Sequence, residues 1–254
     1  MTVDIKQARR PLQSWFSARL PSVQHLEVSE LTTPGAGVSN ETYFITITYR
    51  FNGKIVSEDL VIRWPPDGFL VFPKASYDMT HQFNILKCLE LSQIPSPGVF
   101  GLEEDPTIIG KPFFVMHKVP GWIPSDFPPY HQAGPLFEMS LEQQERIWWA
   151  GLETVVAIHE LDLKSSGLSL LGVPTGTGFI DAQIKLYDAV LAQNSDPVPD
   201  MLVKTRQWLL NNRFEPHVQS LCWGGCTSWQ YDFRWFKCHR SSGLGNGSHR
   251  RSDC

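Results

Sequence analysis

Several things are scarce in this sequence, and each shortage excludes a class of protein. Five cysteines in 254 residues, with only Cys88 well inside the regular part of the chain, do not make a disulfide framework. No stretch approaches about eighteen consecutive apolar residues. The N-terminus, with Asp4, Lys6, Arg9 and Arg10, lacks the apolar core of a signal peptide. The expectation is a soluble, cytoplasmic chain with no membrane partner. Charge is sparse as well: 22 Lys and Arg against 26 Asp and Glu leave a net −4, which gives no basic footprint for a polyanion. Nucleic acid is therefore not an expected partner. There is no internal repeat, and 42% hydrophobic content over this length suits one large domain or two lobes.

What is present organises the first half clearly. Ile5, Ala8, Leu12, Trp15, Phe16 and Leu20 recur at helical spacing and predict an opening helix over 5–20. Leu26–Leu31 reads as a strand, with Leu26 and Val28 as its apolar positions. Thr42–Phe51 and Lys54–Arg63 are runs rich in β-branched and aromatic residues, and Asn52-Gly53 between them is the strongest short-range hairpin signal. A helix fits Tyr77–Leu91, with Met79, Phe83 and Leu86 inward, and Pro95 and Pro97 beyond its end. Phe100–Leu102 and Pro112–Val119 read as strands, and 120–135 as a proline-rich loop. Ser140 and Gln143 form a capping box opening a helix to Leu161, with Trp148, Leu152, Val155 and His159 expected on its packed face. Ile180–Gln193 and Met201–Phe214 read as further helices. The order is a mostly antiparallel β lobe followed by an α lobe.

Four stretches, in this order, carry a family resemblance. They are Gly35-Ala36-Gly37-Val38-Ser39-Asn40-Glu41-Thr42, Leu60-Val61-Ile62-Arg63-Trp64-Pro65-Pro66, Asp105-Pro106 with Ile109-Gly110-Lys111-Pro112-Phe113-Phe114-Val115-Met116, and Ala157-Ile158-His159-Glu160-Leu161-Asp162. Over roughly residues 10 to 224 the chain resembles the aminoglycoside phosphotransferase family, in the branch similar to the kinase domain fused to acyl-CoA dehydrogenases. The resemblance implies an α+β, protein-kinase-like, two-lobed fold. It also implies transfer of the ATP γ-phosphoryl group to a small-molecule hydroxyl with Mg²⁺. Gly35, Gly37, Ser39 and Asn40 would let backbone N–H groups approach the phosphates. Arg63 would stand where protein kinases place a lysine against the α- and β-phosphates. His117 and Val119 would offer a backbone carbonyl and N–H to adenine. Taken singly, the glycines also suit an ordinary turn, Arg63 a solvated strand end, and His117 with Val119 a closing strand. His159 is read as a packed helix residue.

Two departures qualify that reading. Where the family pairs the strand cation with a helix glutamate, this chain has Thr80-His81-Gln82-Phe83. Gln82 can hydrogen-bond Arg63 without neutralising it, or Asp78, one turn away, supplies the charge. The larger departure follows Ser220-Leu221-Cys222-Trp223-Gly224. From Gly225 to Cys254 the chain has three cysteines, two tryptophans, no isoleucine or valine, and no period of either kind. The family's catalytic aspartate, the asparagine after it and its metal-binding Asp-Trp-Glu belong here. Read one base later with permitted codons, Gly225–Tyr231 become D-A-R-L-G-N, Phe236–Ser242 become L-S-V-T-A-V-L, and Gly243–Asn246 become D-W-E. The glycine arising from Trp229-Gln230 is forced by the code.

The tail therefore reads as an out-of-frame translation, entered through a run of G at the Gly224–Gly225 junction. Zinc at Cys222, Cys226, Cys238 and His239 is a poor rival, because Cys-x₃-Cys followed by adjacent Cys-His suits a tetrahedron badly. A nucleic-acid arm built on Arg234, Lys237, Arg240, Arg250 and Arg251 merits little more. The expected organisation is 1–119 as the nucleotide-binding β lobe, 120–224 as a partial helical lobe, and 225–254 as the out-of-frame tail. No catalytic residue and no metal ligand is assigned, so a truncated, inactive kinase is expected. The alternative is a nucleotide-binding pseudokinase or interaction module.

Overall fold

The computed structural model describes residues 3–33, 41–68, 70–122, 128–172, 176–193, 196–214 and 218–222. They fall into two compact units. One comprises the residues up to Val119 together with those from Thr154 onward, and the other is Pro120–Glu153.

In the first unit, helix α1 (Ile5–Arg19) starts at Asp4, whose carboxylate accepts the Lys6 N–H at 3.0 Å and so satisfies a donor that the helix cannot. Ala8, Leu12, Trp15 and Phe16, one helical stripe, are buried. Strand β1 (Gln24–Val28) is shorter than expected and starts earlier. Beyond it the chain stays beside β2: Ser29 N–H donates to Thr46 O, Thr46 N–H donates to Ser29 Oγ, and Thr32 bridges Phe44. Strands β2 (Glu41–Phe51) and β3 (Lys54–Trp64) form the expected hairpin, in continuous register from Phe51↔Lys54 to Glu41↔Trp64. Asn52 and Gly53 both have positive φ, 49° and 77°, which is what a two-residue type I′ turn requires.

The helix expected over Tyr77–Leu91 divides. A 3₁₀ turn at Lys74–Tyr77 ends at Asp78, whose extended backbone caps helix α2 (Met79–Leu89). Strands β4 (Val99–Glu103) and β5 (Phe113–His117) complete an antiparallel sheet of order β1-β2-β3-β5-β4. Alternation along the strands divides its side chains between two faces. Tyr43, Ile45, Ile47, Leu60, Ile62, Phe113 and Val115 pack with α1 into one core. Gly101 lies directly beneath Trp15, so that a Cβ there would come within 3.1 Å of the indole.

In the second unit, a short helix α3 (Pro135–Glu138) follows the proline-rich stretch. It precedes helix α4 (Leu141–His159), which runs across the boundary into the first unit. The capping box is reciprocal: Ser140 N–H donates to Gln143 Oε1 at 3.0 Å, and Gln143 N–H donates to Ser140 Oγ at 3.3 Å. The expected packed face of α4 needs correction. Trp148, Leu152 and His159 are exposed, while Gly151 and Ile158 are buried with Gln144, Ile147, Thr154 and Val155 partly so. Two apolar stripes share this helix, and periodicity cannot choose between them.

Helices α5 (Thr177–Ala192) and α6 (Asp200–Asn211) follow in the first unit, joined by the Arg206–Asp188 pair at 2.7 Å and the Arg213–Asp181 pair at 2.8 Å. No helix among the described residues is long and apolar enough to cross a membrane.

Candidate functional site

Arg63 is the penultimate residue of β3, paired with Thr42 on one side and Phe114 on the other. Cross-strand partners share a face, so Thr42, Phe44, Val61, Phe114, Met116 and Arg63 lie together on the face opposite α1. Burial strips water from the Arg63 guanidinium and draws its pKa below the ordinary arginine value. At the other end of this face Lys118 sets its ammonium 4.5 Å from the centre of the Phe44 ring, a cation–π contact. The result is an apolar row with a cation at each end, in which Val61 and Phe114 are buried and Phe44 and Met116 are partly exposed. Lys118 was not anticipated from the sequence, where it is one lysine among many on an exposed strand end.

Helix α2 approaches the same face through Phe83, whose ring centre is 6.3 Å from that of Phe114. Gln82 is half-buried. Asp78, the other candidate partner for Arg63, is engaged as the cap of α2, accepting Thr80 N–H at 2.9 Å.

His117 ends β5 opposite Leu60, three positions along from the Arg63–Phe114 pair. That separates the two by roughly 10 Å along the strands and turns their side chains to opposite faces. The His117 backbone N–H donates to Gly98 O at 2.8 Å. Its exposed imidazole lies on the α1 side, with Nδ1 3.8 Å from Glu58 and its ring edge on Phe100. Glu58 also accepts the Tyr49 hydroxyl, and that hydrogen bond, reinforced by burial and the Glu58 charge, pushes the Tyr49 pKa up to about 12. Val119 is half-buried just beyond the strand. Arg63 therefore stands at one end of the β3–β5 pairing, and His117 and Val119 at the other. Gly35, Gly37, Ser39 and Asn40 lie outside the described residues, as does the whole stretch from Trp223 to Cys254.

At the sheet end that carries Arg63, but on the α1 face, the structure builds a polar cluster not anticipated from the sequence. Lys111, only 8% exposed, points its ammonium at Pro65 O (2.8 Å), Asp67 Oδ1 (2.8 Å) and Glu41 Oε1 (3.5 Å). Glu41 accepts the Trp64 indole N–H at 2.7 Å and the Asp67 backbone N–H at 3.0 Å. Tyr43 stacks on Trp64 with ring centres 4.4 Å apart, and its hydroxyl donates to Glu41 at 3.3 Å. Burial, then the Glu41 charge and hydrogen bond, raise the Tyr43 pKa. The available signal was a lone lysine inside the apolar run Ile108-Ile109-Gly110-Lys111-Pro112-Phe113-Phe114, where a cation must find buried partners. Among the described residues no group of three or more His, Cys, Asp or Glu side chains is placed to hold a metal ion.

Comparison with known proteins agrees with this architecture. The model of the phosphotransferase enzyme family matches residues 30–229. Acyl-CoA dehydrogenase family member 11 of Rattus norvegicus is 30% identical over 209 residues, which cover 80% of this chain and 24% of that protein. Acyl-CoA dehydrogenase family member 10 of Mus musculus is 32% identical over 136 residues, 54% of this chain and 11% of that protein. The chain therefore spans about a quarter or less of the length of these curated relatives. A solved structure from Ralstonia eutropha, described as an aminoglycoside phosphotransferase, superposes with a TM-score of 0.50 at 20% identity. It covers 80% of this chain and 52% of the other, and shares its α+β fold.

Proposed function

Because this chain belongs to the phosphotransferase enzyme family, we propose that its sheet is the nucleotide-binding lobe of an ATP-dependent kinase acting on a small-molecule hydroxyl in the cytoplasm. The observation that carries this reading is Arg63, a desolvated cation at the end of β3 on the face opposite α1, in one row with Phe44, Val61, Phe114 and Met116. A partly dehydrated guanidinium binds phosphate oxygens strongly and keeps its charge at every physiological pH. In this reading Arg63 holds the α- and β-phosphates. The backbone at Gly35, Gly37, Ser39 and Asn40 approaches them, and the His117 carbonyl with the Val119 N–H meets the adenine edge.

Mg²⁺, when bound in such sites, neutralises charge on the β- and γ-phosphates. Among the described residues no three His, Cys, Asp or Glu side chains come together to hold it, and the segment where the resemblance places its ligands lies outside the described residues. The family match stops at residue 229, four residues beyond the junction where the one-base shift begins. We read the tail as out of frame, and the chain as written as unable to complete transfer for want of a base and metal ligands. A second reading, a nucleotide-binding pseudokinase, is favoured by the survival of the Arg63 face alone.

Three measurements test these readings. Calorimetry with ATP and ADP is expected to show weak binding that Arg63→Ala abolishes; no binding at all sinks the nucleotide assignment. Acceptor- and Mg²⁺-dependent ATP consumption by the pure chain, lost in Arg63→Ala, would overturn the claim of inactivity. Sequencing the gene across the codons for Trp223–Cys226, and assaying a version with one G removed, separates the two readings. The repaired frame is expected to raise turnover by at least roughly 10²-fold, the low end of what a positioned acid–base group contributes.

A further inference from the structure

The Lys111 cluster lies at the sheet end that carries Arg63, and its charges cannot serve a ligand directly. One ammonium faces two carboxylates, so the cluster is net negative and would repel a phosphate. All three ammonium hydrogens have acceptors within the protein: a carbonyl and two carboxylate oxygens. What the cluster does is mechanical. Glu41 is the first residue of β2 and is paired with Trp64, the last residue of β3; Pro65 and Asp67 are the first turn after β3. Lys111, two residues before β5, binds all three places at once. It thereby ties the ends of three adjacent strands around the Thr42–Arg63–Phe114 row.

We infer that Lys111 is a positioning residue for nucleotide: by cross-linking Glu41, Pro65 and Asp67 it holds the backbone on both sides of Arg63, and so fixes where the guanidinium points. This rests on the nucleotide reading above. A simpler core role would need no cation. An apolar side chain at 111 would fill the space, whereas Lys111 leaves the backbone carbonyl of Pro65 and the carboxylates dependent on it.

The test uses the full chain and Mg²⁺-ATP binding by calorimetry, with urea unfolding run in parallel. Lys111→Met, which keeps the stem and removes the charge, is expected to weaken binding tenfold or more at a temperature where the protein stays folded. Asp67→Asn, at a partly exposed position that threatens folding less, is expected to weaken it about threefold. Ile47→Ala, a core change far from Arg63, is the control: it lowers stability at least as much yet leaves affinity within twofold. If Lys111→Met or Asp67→Asn is folded and binds within twofold of the unaltered chain, the positioning role is overturned. If Ile47→Ala weakens binding as much as Lys111→Met, loss of stability alone accounts for the effect and the inference is equally overturned. An unaltered chain that binds no nucleotide overturns the assignment of the site itself, a separate failure seen before any variant is compared.

Discussion

The sheet lobe and the α5–α6 pair belong to the same unit and are built on opposite terms. Among the described residues every fully buried large side chain lies between Leu12 and Val115, including Phe16, Ile62, Trp64, Phe113 and Phe114. In α5 and α6 only Ile184 is buried, while Phe179, Tyr187, Met201, Leu202, Val203 and Trp208 face solvent. The sheet is held by removing apolar surface from water, at about 25 cal/mol per Å². The two helices are joined by exposed ion pairs, each worth roughly 0–1 kcal/mol. The lesson is that amphipathic sequence suffices to make a helix, but an apolar stripe stabilises only when something covers it. Uncovered, it is a surface for association.

Four experiments would break or sharpen this contrast. Ile62→Ala removes fully buried methyl groups between β2 and β5 and is expected to cost about 2–5 kcal/mol in urea unfolding. A loss under about 1 kcal/mol would mean that the sheet core does not carry the lobe.

Ser140→Ala removes one half of the reciprocal cap on α4 and should cost about 1 kcal/mol, read as reduced helicity and a lower unfolding midpoint. No change in either would indicate that the helix start is held by other contacts.

A smaller effect is expected at Glu103, where α1 meets the sheet edge. Burial alone would raise its pKa. The Asp105 backbone N–H, the Trp15 indole N–H at 2.8 Å and the Arg19 guanidinium together outweigh that and lower it. A lowered folded-state pKa means stability that is fully present above the ordinary glutamate value near 4.5 and is lost as pH falls through the folded value. Glu103→Gln should therefore flatten the acid limb of the stability curve below about pH 4.5. An unchanged acid limb would show that this carboxylate contributes nothing to acid sensitivity.

The smallest effect on stability belongs to Trp208→Ser, on a side chain 62% exposed in α6, expected within about 0.5 kcal/mol. It should nonetheless lower binding of an apolar dye and reduce concentration-dependent association. A large destabilisation would show that this face is covered after all, and the contrast between the two regions would fall.

Local pattern was enough for most elements of the sheet lobe. Asn52-Gly53 dictates the hairpin because its two residues tolerate positive φ. Ser140 announces a helix start because its side chain satisfies a backbone donor close by in sequence. The place of Arg63 at the end of β3 was legible because the strand that carries it is regular. The side of α4 that packs was not legible, since Ile147 and Trp148 both fit a helical period and only surrounding structure selects one.

The sequence by itself determined the order of elements, the turn that registers β2 on β3, and the family, because each rests on residues adjacent in the chain. Tertiary structure alone decided that Glu41, Asp67 and Lys111, far apart in sequence, meet at the sheet end that carries Arg63. A charge buried in an apolar run announces that it needs partners, but a linear pattern holds no record of which ones. Only the strand order, which lays β5 against β3, brings them within hydrogen-bonding distance.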